Sequence, residues 1–206
     1  MAANPTLILG SASPRRVALL NQLKLDFVQL VSPAEEPAPG NRGPAEHVVE
    51  SARLKALAVA TLAISAPPPS LDNTDSLLII GADTIVCVDG AILGKPTDET
   101  HAMHMLRTLS GRSHEVYTGV ALRHSNGWEQ AVWELTQVQM RKLTEQSIRS
   151  YVDSGEPLDK AGGYAIQGLG ARFVGHISGC YYNVVGLPLA RLCAMLEEAG
   201  YDVGIR

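Results

Sequence analysis

Two arginines stand side by side in "GSASPRRVALLNQL", directly after Ser13 and Pro14. Proline suits the first turn of a helix and serine its N-cap. Arg15 and Arg16 therefore fall where free N–H groups and the positive end of the helix dipole form an anion site. Two guanidiniums there supply charge-assisted, bidentate hydrogen bonds to phosphate oxygens. The plainer alternative is a solvated helix start whose arginines pair with nearby acids, at a cost of about 0.3–1 kcal/mol per charge against the dipole. Neither G-x-x-x-x-G-K-[ST] nor G-x-G-x-x-G is present, so no standard phosphate loop decides between the two.

Other residues offer matching chemistry. Asp83 lies inside the apolar run "LLIIGADTIVCV", where a carboxylate must be paired, bind a metal or have a raised pKa. It reads as a metal ligand or general base, with a turn-capping structural aspartate as the alternative. Glu35 and Glu36 sit on a Pro/Gly loop and have the oxygen ligands that Mg²⁺ or Mn²⁺ takes; taken in isolation, a solvated acidic loop is the preferred reading. Lys55, Lys95 and Lys160 are point charges suited to phosphate or ordinary snorkelling surface residues. In "GEPLDKAGGYAIQGLG", Gln167 has both a donor and an acceptor with which to read a nucleobase edge; a glutamine bonded to its own loop is the competing reading. His101 and His104 stand three apart without an evident third ligand and read as an amphipathic helix face. Cys87, in a buried β-run without an activating base, reads as core.

The elements that must position these residues follow from periodicity and turn chemistry. Thr6–Leu9 predicts a strand, Pro14 onward a helix and Phe27–Val31 a second strand. "SPAEEPAPGNRGP" is a loop, a helix spans about Ala45–Ile64, and "SAPPPSLDNTDS" is a surface connection. "LLIIGADTIVCV" predicts a buried strand interrupted at Gly81, Asp83 and Thr84, its middle opening onto a cavity. Asp89-Gly90 signals a hairpin turn, followed by "LGKP" and a helix near Asp98–Leu109. Val116–Arg123 and Glu129–Met140 alternate as strands joined at Asn126-Gly127. A helix starts at Thr144, a glycine-rich region runs to Gly179, and Leu187–Glu198 closes as a helix. Interleaved strands and helices without a repeat predict an α/β fold with a mixed sheet.

The bulk properties exclude several classes. The 206 residues, 46% of them hydrophobic, fit one domain, and a net charge of -4 offers no field to hold a nucleic-acid polymer. Cys87, Cys180 and Cys193 form no C-x-x-C pair, which argues against a disulfide framework or zinc cage and for a reducing cytoplasm. No apolar run reaches membrane-spanning length, and no charged segment followed by an apolar one opens the sequence, a pattern that reads as a soluble intracellular protein.

Taken together, "LILGSASPRR", "LLIIGADTIV", "LGKP", "MLRTLSGRSHEVYTGV", "SGEPLDKAGGYAIQGLGARFV" and "YYNVVGLPL" resemble the Maf family of housecleaning nucleoside triphosphate pyrophosphatases nearly end to end. The resemblance implies one domain over residues 1–206. Its fold would be α/β, a mixed central sheet with flanking helices and two lobes around a deep cleft, related to inosine triphosphate pyrophosphatases. It implies hydrolysis of a nucleoside triphosphate to the monophosphate and pyrophosphate, with Mg²⁺ or Mn²⁺. By that resemblance Asp83 is the proton acceptor and touches the metal, with Glu36 linked to metal or water. Ser11, Arg15, Arg16, Lys55 and Lys95 match positions that hold the triphosphate. Arg15, Thr84 and Gln167 match the branch that prefers dTTP, UTP and modified pyrimidine nucleotides. Cys180 departs from the acidic or polar residue common in the family, and the loop around Pro67 looks elongated. The implied partner is a small nucleotide, not a nucleic-acid polymer or a membrane, and homodimers are common among members. A non-catalytic nucleotide-binding regulator of division or septum formation is the rival reading, and a link to cell division arrest is compatible with either.

Overall fold

The computed structural model describes residues 4–38, 40–71 and 76–204. The extreme N-terminus, Pro39 of the acidic loop and residues 72–75 of the elongated connection lie outside the described residues. The elements, in chain order, are β1 (Thr6–Leu9), α1 (Pro14–Gln22), β2 (Val28–Gln29), α2 (Pro44–Ser65), β3 (Leu77–Val88) and β4 (Ala91–Leu93), then α3 (Glu99–Leu109), β5 (Ser113–His124), β6 (Glu129–Met140) and α4 (Glu145–Val152). Three short 3₁₀ turns (Glu156–Asp159, Ala161–Gly163, Leu169–Phe173) precede β7 (Val174–Ser178), α5 (Tyr181–Val185) and α6 (Leu189–Glu198).

The strands form one seven-stranded sheet in the order β2-β1-β3-β5-β6-β7, with β4 paired to β3. β1 runs parallel to β2 and β3, as connections through helices require. β4 is antiparallel to β3 and β7 to β6, so the sheet is mixed, as expected.

Three elements differ from the sequence reading. β3 is not interrupted: all twelve residues stay in the strand and only Thr84 is other than buried. β2 is cut to two residues, Val28 and Gln29, which pair with Ile8 and Leu9 where β1 ends; beyond them Val31 is 53% exposed and Pro33 follows. β7 arises within the glycine-rich stretch, where Gln137 to Met140 of β6 provide its pairing partners; a strand paired that way leaves little local signal.

The chain divides into two compact units. The first comprises the chain up to Asp83, Thr118–Glu134 and the chain from Gly186; its core packs Ile8, Leu77, Ile79 and Ala121 with Ala52, Ala56, Val59 and Ala63 of α2. The second comprises Thr84–Tyr117 and Leu135–Val185, with Val86, Leu106, Val138, Ile148, Tyr151 and Phe173 in its core. No helix among the described residues is long and apolar enough to cross a membrane.

A buried histidine gives the second unit a pH dependence. His114 is 2% exposed, and its Nε2 lies 2.7 Å from the Tyr164 hydroxyl. Burial pushes its pKa down from 6.5 to about 4. Between those values the unfolded chain binds a proton that the folded chain refuses, so stability rises with pH. The contribution is complete above about pH 6.5 and declines by roughly 3 kcal/mol toward about pH 4. Urea unfolding at several pH values should show this slope, and His114→Phe should flatten it. An unchanged slope in the variant would mean that other groups carry it.

Candidate functional site

In the first unit the sequence-predicted residues meet at the start of α1. Ser13 is the N-cap as expected, its side chain accepting from the Arg16 amide at 3.5 Å. Arg16 folds back over that turn: Nη1 donates to Ser11 Oγ at 3.2 Å and Nε to the Gly186 carbonyl at 2.8 Å. The Ser11 carbonyl in turn accepts from Gln29 Nε2 at 2.8 Å. The guanidinium is thus aimed by the chain on either side of it. Burial holds its pKa below the ordinary value; Asp83 raises it, Arg15 lowers it further and Glu36 raises it. An arginine starting above about 12 stays cationic through such shifts. The helix start, the acidic loop and β3 therefore share one electrostatic neighbourhood. Arg15, beside it on the first turn, is partly buried.

Lys55 is the centre of that neighbourhood. Its Nζ donates to Asp83 Oδ1 at 2.6 Å and to Glu36 Oε1 at 2.9 Å. Lys55 and Asp83 side chains are only 12% and 9% exposed, whereas Glu36 is 59% exposed. A buried carboxylate needs such a partner. Glu36 is delivered by its loop: Ser32 Oγ donates to the Lys55 carbonyl at 3.3 Å and accepts from the Ala34 amide at 3.2 Å.

What brings Lys55 to Asp83 is the absence of a side chain. A Cβ on Gly81 would lie 2.2 Å from the Ala52 carbonyl oxygen and 2.8 Å from the Ala56 amide nitrogen. A Cβ on Gly119 of β5 would lie 2.1 Å from the Val48 carbonyl oxygen. Helix α2 thus rests directly on the sheet at these glycines, with its alanines as the contact face. Strand side chains alternate, so Asp83 faces the same side as Gly81, toward Lys55. Thr84 points to the other side of β3.

The second unit holds Thr84, Lys95 and Gln167. Lys95 is exposed on the loop after β4, and the Gly94 carbonyl before it accepts from the Gly162 amide at 3.0 Å. Gln167 is exposed at the far end of that glycine-rich segment. Lys160 is partly buried and paired with Asp159, and Glu35 is exposed. His101 turns its ring to Thr97, whose Oγ1 lies 3.2 Å from Nδ1. Cys87 is 1% exposed, its thiol pKa raised by burial, and it belongs to the core. Cys180 is tied through its backbone to Thr136, whose Oγ1 lies 3.0 Å from both its amide and its carbonyl.

The donor set fits a hard cation. Asp83 and Glu36 already converge on one positive charge, and both bring oxygen. Among the described residues no group of three or more His, Cys, Asp or Glu forms a metal cage. Two carboxylates suffice, however, for an ion that completes its shell with water and substrate phosphates, as Mg²⁺ does.

Sequence reasoning missed Gln29, Ser32, Gly119 and Gly186 as supports, and it read Gly81 as a break. A lone glycine inside a strand pattern does signal close approach of another backbone, which is the role Gly81 has. The carbonyl of Gly186 and the amide of Gln29 leave no comparable mark, since any residue has a carbonyl and long amides are common on edge strands.

The whole chain has close relatives. A family model described as "Maf-like protein" matches residues 6–199. A dTTP/UTP pyrophosphatase of Pelotomaculum thermopropionicum is 46% identical over 198 residues, covering 96% of this chain and 98% of that protein. A protein of the same name from Bacillus mycoides is 47% identical over 197 residues, covering 96% and 97%. Among solved structures, the Staphylococcus aureus Ham1 protein superposes with a TM-score of 0.51 at 13% identity, covering 94% of this chain and 99% of its own. That likeness concerns the fold alone. With every residue from β1 to the end of α6 inside the family match, the chain belongs to the Maf family.

Proposed function

We propose that this protein is a nucleoside triphosphate pyrophosphatase acting on dTTP, UTP and related modified pyrimidine nucleotides. It releases the monophosphate and pyrophosphate and so clears nucleotide pools. The observation that carries this reading is the Asp83–Lys55–Glu36 cluster beside the Arg16-bearing start of α1. The names of relatives sharing 46% and 47% of their residues with this chain support the substrate class. The unbroken family match over residues 6–199 supports treating the chain as one functional domain.

In this reading Ser11, Arg15, Arg16 and Lys95 hold the triphosphate, and the cations face the pyrophosphate whose charge grows as it leaves. Lys55 starts bound to two carboxylates. When it turns to a phosphate oxygen, it releases Asp83, which takes the proton of the attacking water within about 3 Å. Asp83 and Glu36 would hold the divalent cation, and Mg²⁺ or Mn²⁺ bound there would neutralise phosphate charge and lower the pKa of water. Arg15, Thr84 and Gln167 set the preference for pyrimidines. A small nucleotide as partner, a cytoplasmic location and a homodimeric assembly complete the proposal.

A panel of nucleoside triphosphates with Mg²⁺ or Mn²⁺, assayed for pyrophosphate, tests it. UTP and dTTP should be turned over in preference to ATP and GTP. Nucleotide binding without pyrophosphate release would favour the regulator reading instead. Gln167→Glu should lower the UTP-to-GTP ratio of kcat/KM by about tenfold, since a mispaired polar edge costs about 1–3 kcal/mol. A ratio that does not move would remove Gln167 from base recognition.

A further inference from the structure

The segment around Gln167 is held in an unusual way for so glycine-rich a stretch. The Glu156 carboxylate accepts from the Leu169 amide through Oε2 at 2.9 Å and from the Gly170 amide through Oε1 at 3.0 Å. Its Oε1 also accepts from the Tyr151 hydroxyl at 2.9 Å. That hydroxyl oxygen in turn accepts from the Ala165 amide at 3.2 Å. The backbone is therefore tied two residues before Gln167 and again two and three residues after it. Gly168 has φ 114° and ψ -153°, a region essentially reserved for glycine. A Cβ there would meet Glu156 Oε2 at 2.8 Å. The carboxylate thus lies directly against the turn. The Gln167 side chain is exposed and makes no hydrogen bond to a described residue. The backbone is fixed while the amide is left for a ligand.

We infer that Glu156 and Tyr151 are positioning residues for nucleobase selection: together they clamp the backbone on both sides of Gln167 and so fix where its amide points. This rests on the reading of Gln167 as a base reader given above. Tyr151 is anchored for the task, being 2% exposed with its ring edge-on to Phe173 at 5.0 Å. Burial disfavours the Glu156 charge, but the Leu169 and Gly170 amides, the Tyr151 hydroxyl and Lys160 outweigh it and bring its pKa below the ordinary carboxylate value. An ionised, acceptor-only group is what three converging donors need. Without the clamp, a loop of this composition would sample many backbone states, and an amide on it would lose its aim.

Glu156→Gln tests this, because the amide's NH₂ opposes a backbone N–H where a carboxylate oxygen accepted. Four proteins are compared for kcat/KM on UTP and GTP: the parent, Glu156→Gln, Gln167→Ala and the double variant. Glu156→Gln should lower the UTP-to-GTP ratio roughly tenfold, through a higher KM for UTP with kcat little changed. The double variant should fall no further than Gln167→Ala alone, the signature of two groups acting through one contact. Amide hydrogen exchange should accelerate at Leu169 and Gly170. If Gln167→Ala shifts the ratio while Glu156→Gln lowers UTP and GTP turnover equally, the clamp is merely structural and the inference fails. If Gln167→Ala leaves the ratio unchanged, the base-reading role itself falls and takes the inference with it. Should Glu156→Gln fold poorly, Tyr151→Phe keeps the buried ring and removes only the hydroxyl. It should lower the ratio by a smaller factor, and an unchanged ratio there would also overturn the inference.

Discussion

Asparagine in place of Asp83 should leave a folded protein that binds UTP normally and turns it over about 10²- to 10⁴-fold more slowly, the usual worth of a positioned general base. Asparagine keeps the shape and can still accept from Lys55 through its amide oxygen, so the cluster around the start of α1 persists. What disappears is the ability to take a proton from water. The expected split is therefore a collapse of kcat with a nearly unchanged Kd for nucleotide, measured by calorimetry beside a thermal scan. Because Lys55 also bonds Glu36, losing the Asp83 charge does not strand the ammonium. A near-normal kcat in this variant would assign the proton to another group. A matching loss of Kd and Tm would mean that Asp83 chiefly holds the site together.

The second large effect is on stability. Gly81→Ala places a methyl 2.2 Å from the Ala52 carbonyl oxygen, a clash with helix backbone that no side-chain rotation relieves. Overpacking of this kind costs about 1–3 kcal/mol where side chains can yield and more where they cannot. A loss of at least about 3 kcal/mol is expected, and a fall in Tm of roughly 6–12 °C for a chain of this size. The damage should extend to activity, since lifting α2 from β3 withdraws Lys55 from Asp83. Gly119→Ala meets the same helix near Val48 and should show a comparable loss of Tm. Its contact lies seven residues before Lys55, so its effect on turnover in the surviving folded protein should be smaller. Calorimetry on both variants, with activity normalised to folded protein, checks the pair. An unchanged Tm in Gly81→Ala would show that α2 is not seated on the strand at that point.

Features encoded within a few residues were legible. Ser13 and Pro14 started α1, and Thr144 caps α4, where Ser147 completes a capping box. Asp89 and Gly90 both take positive φ, 50° and 78°, as the hairpin signal required. The strand–helix–strand start pointed to β1 beside β2 in parallel, as found, but the pairing of β1 with β3 was not legible, because α1, β2 and α2 lie between them in the chain. β7 was missed because its partners are supplied by β6 alone.

The candidate site divides in the same way. Residue types pointed to Asp83, Lys55, Glu36 and the arginines one at a time, each with a bland alternative. Sequence did not show that Lys55 bridges two acids lying 28 and 19 positions away. That bridge depends on Gly81, whose meaning is a distance to a helix and so belongs to the fold. Gln167 presents the converse case. Its residue type was suggestive, but Glu156 and Tyr151, which hold its backbone, carried no signal until the loop was closed on them.

The reaction is defined by which phosphorus the water attacks. Hydrolysis of UTP in water enriched in heavy oxygen, followed by mass spectrometry of both products, answers it. Attack at the α-phosphorus, assisted by Asp83 and with pyrophosphate leaving, predicts the label in UMP and none in pyrophosphate. Label in pyrophosphate, or in orthophosphate, would contradict attack at the α-phosphorus.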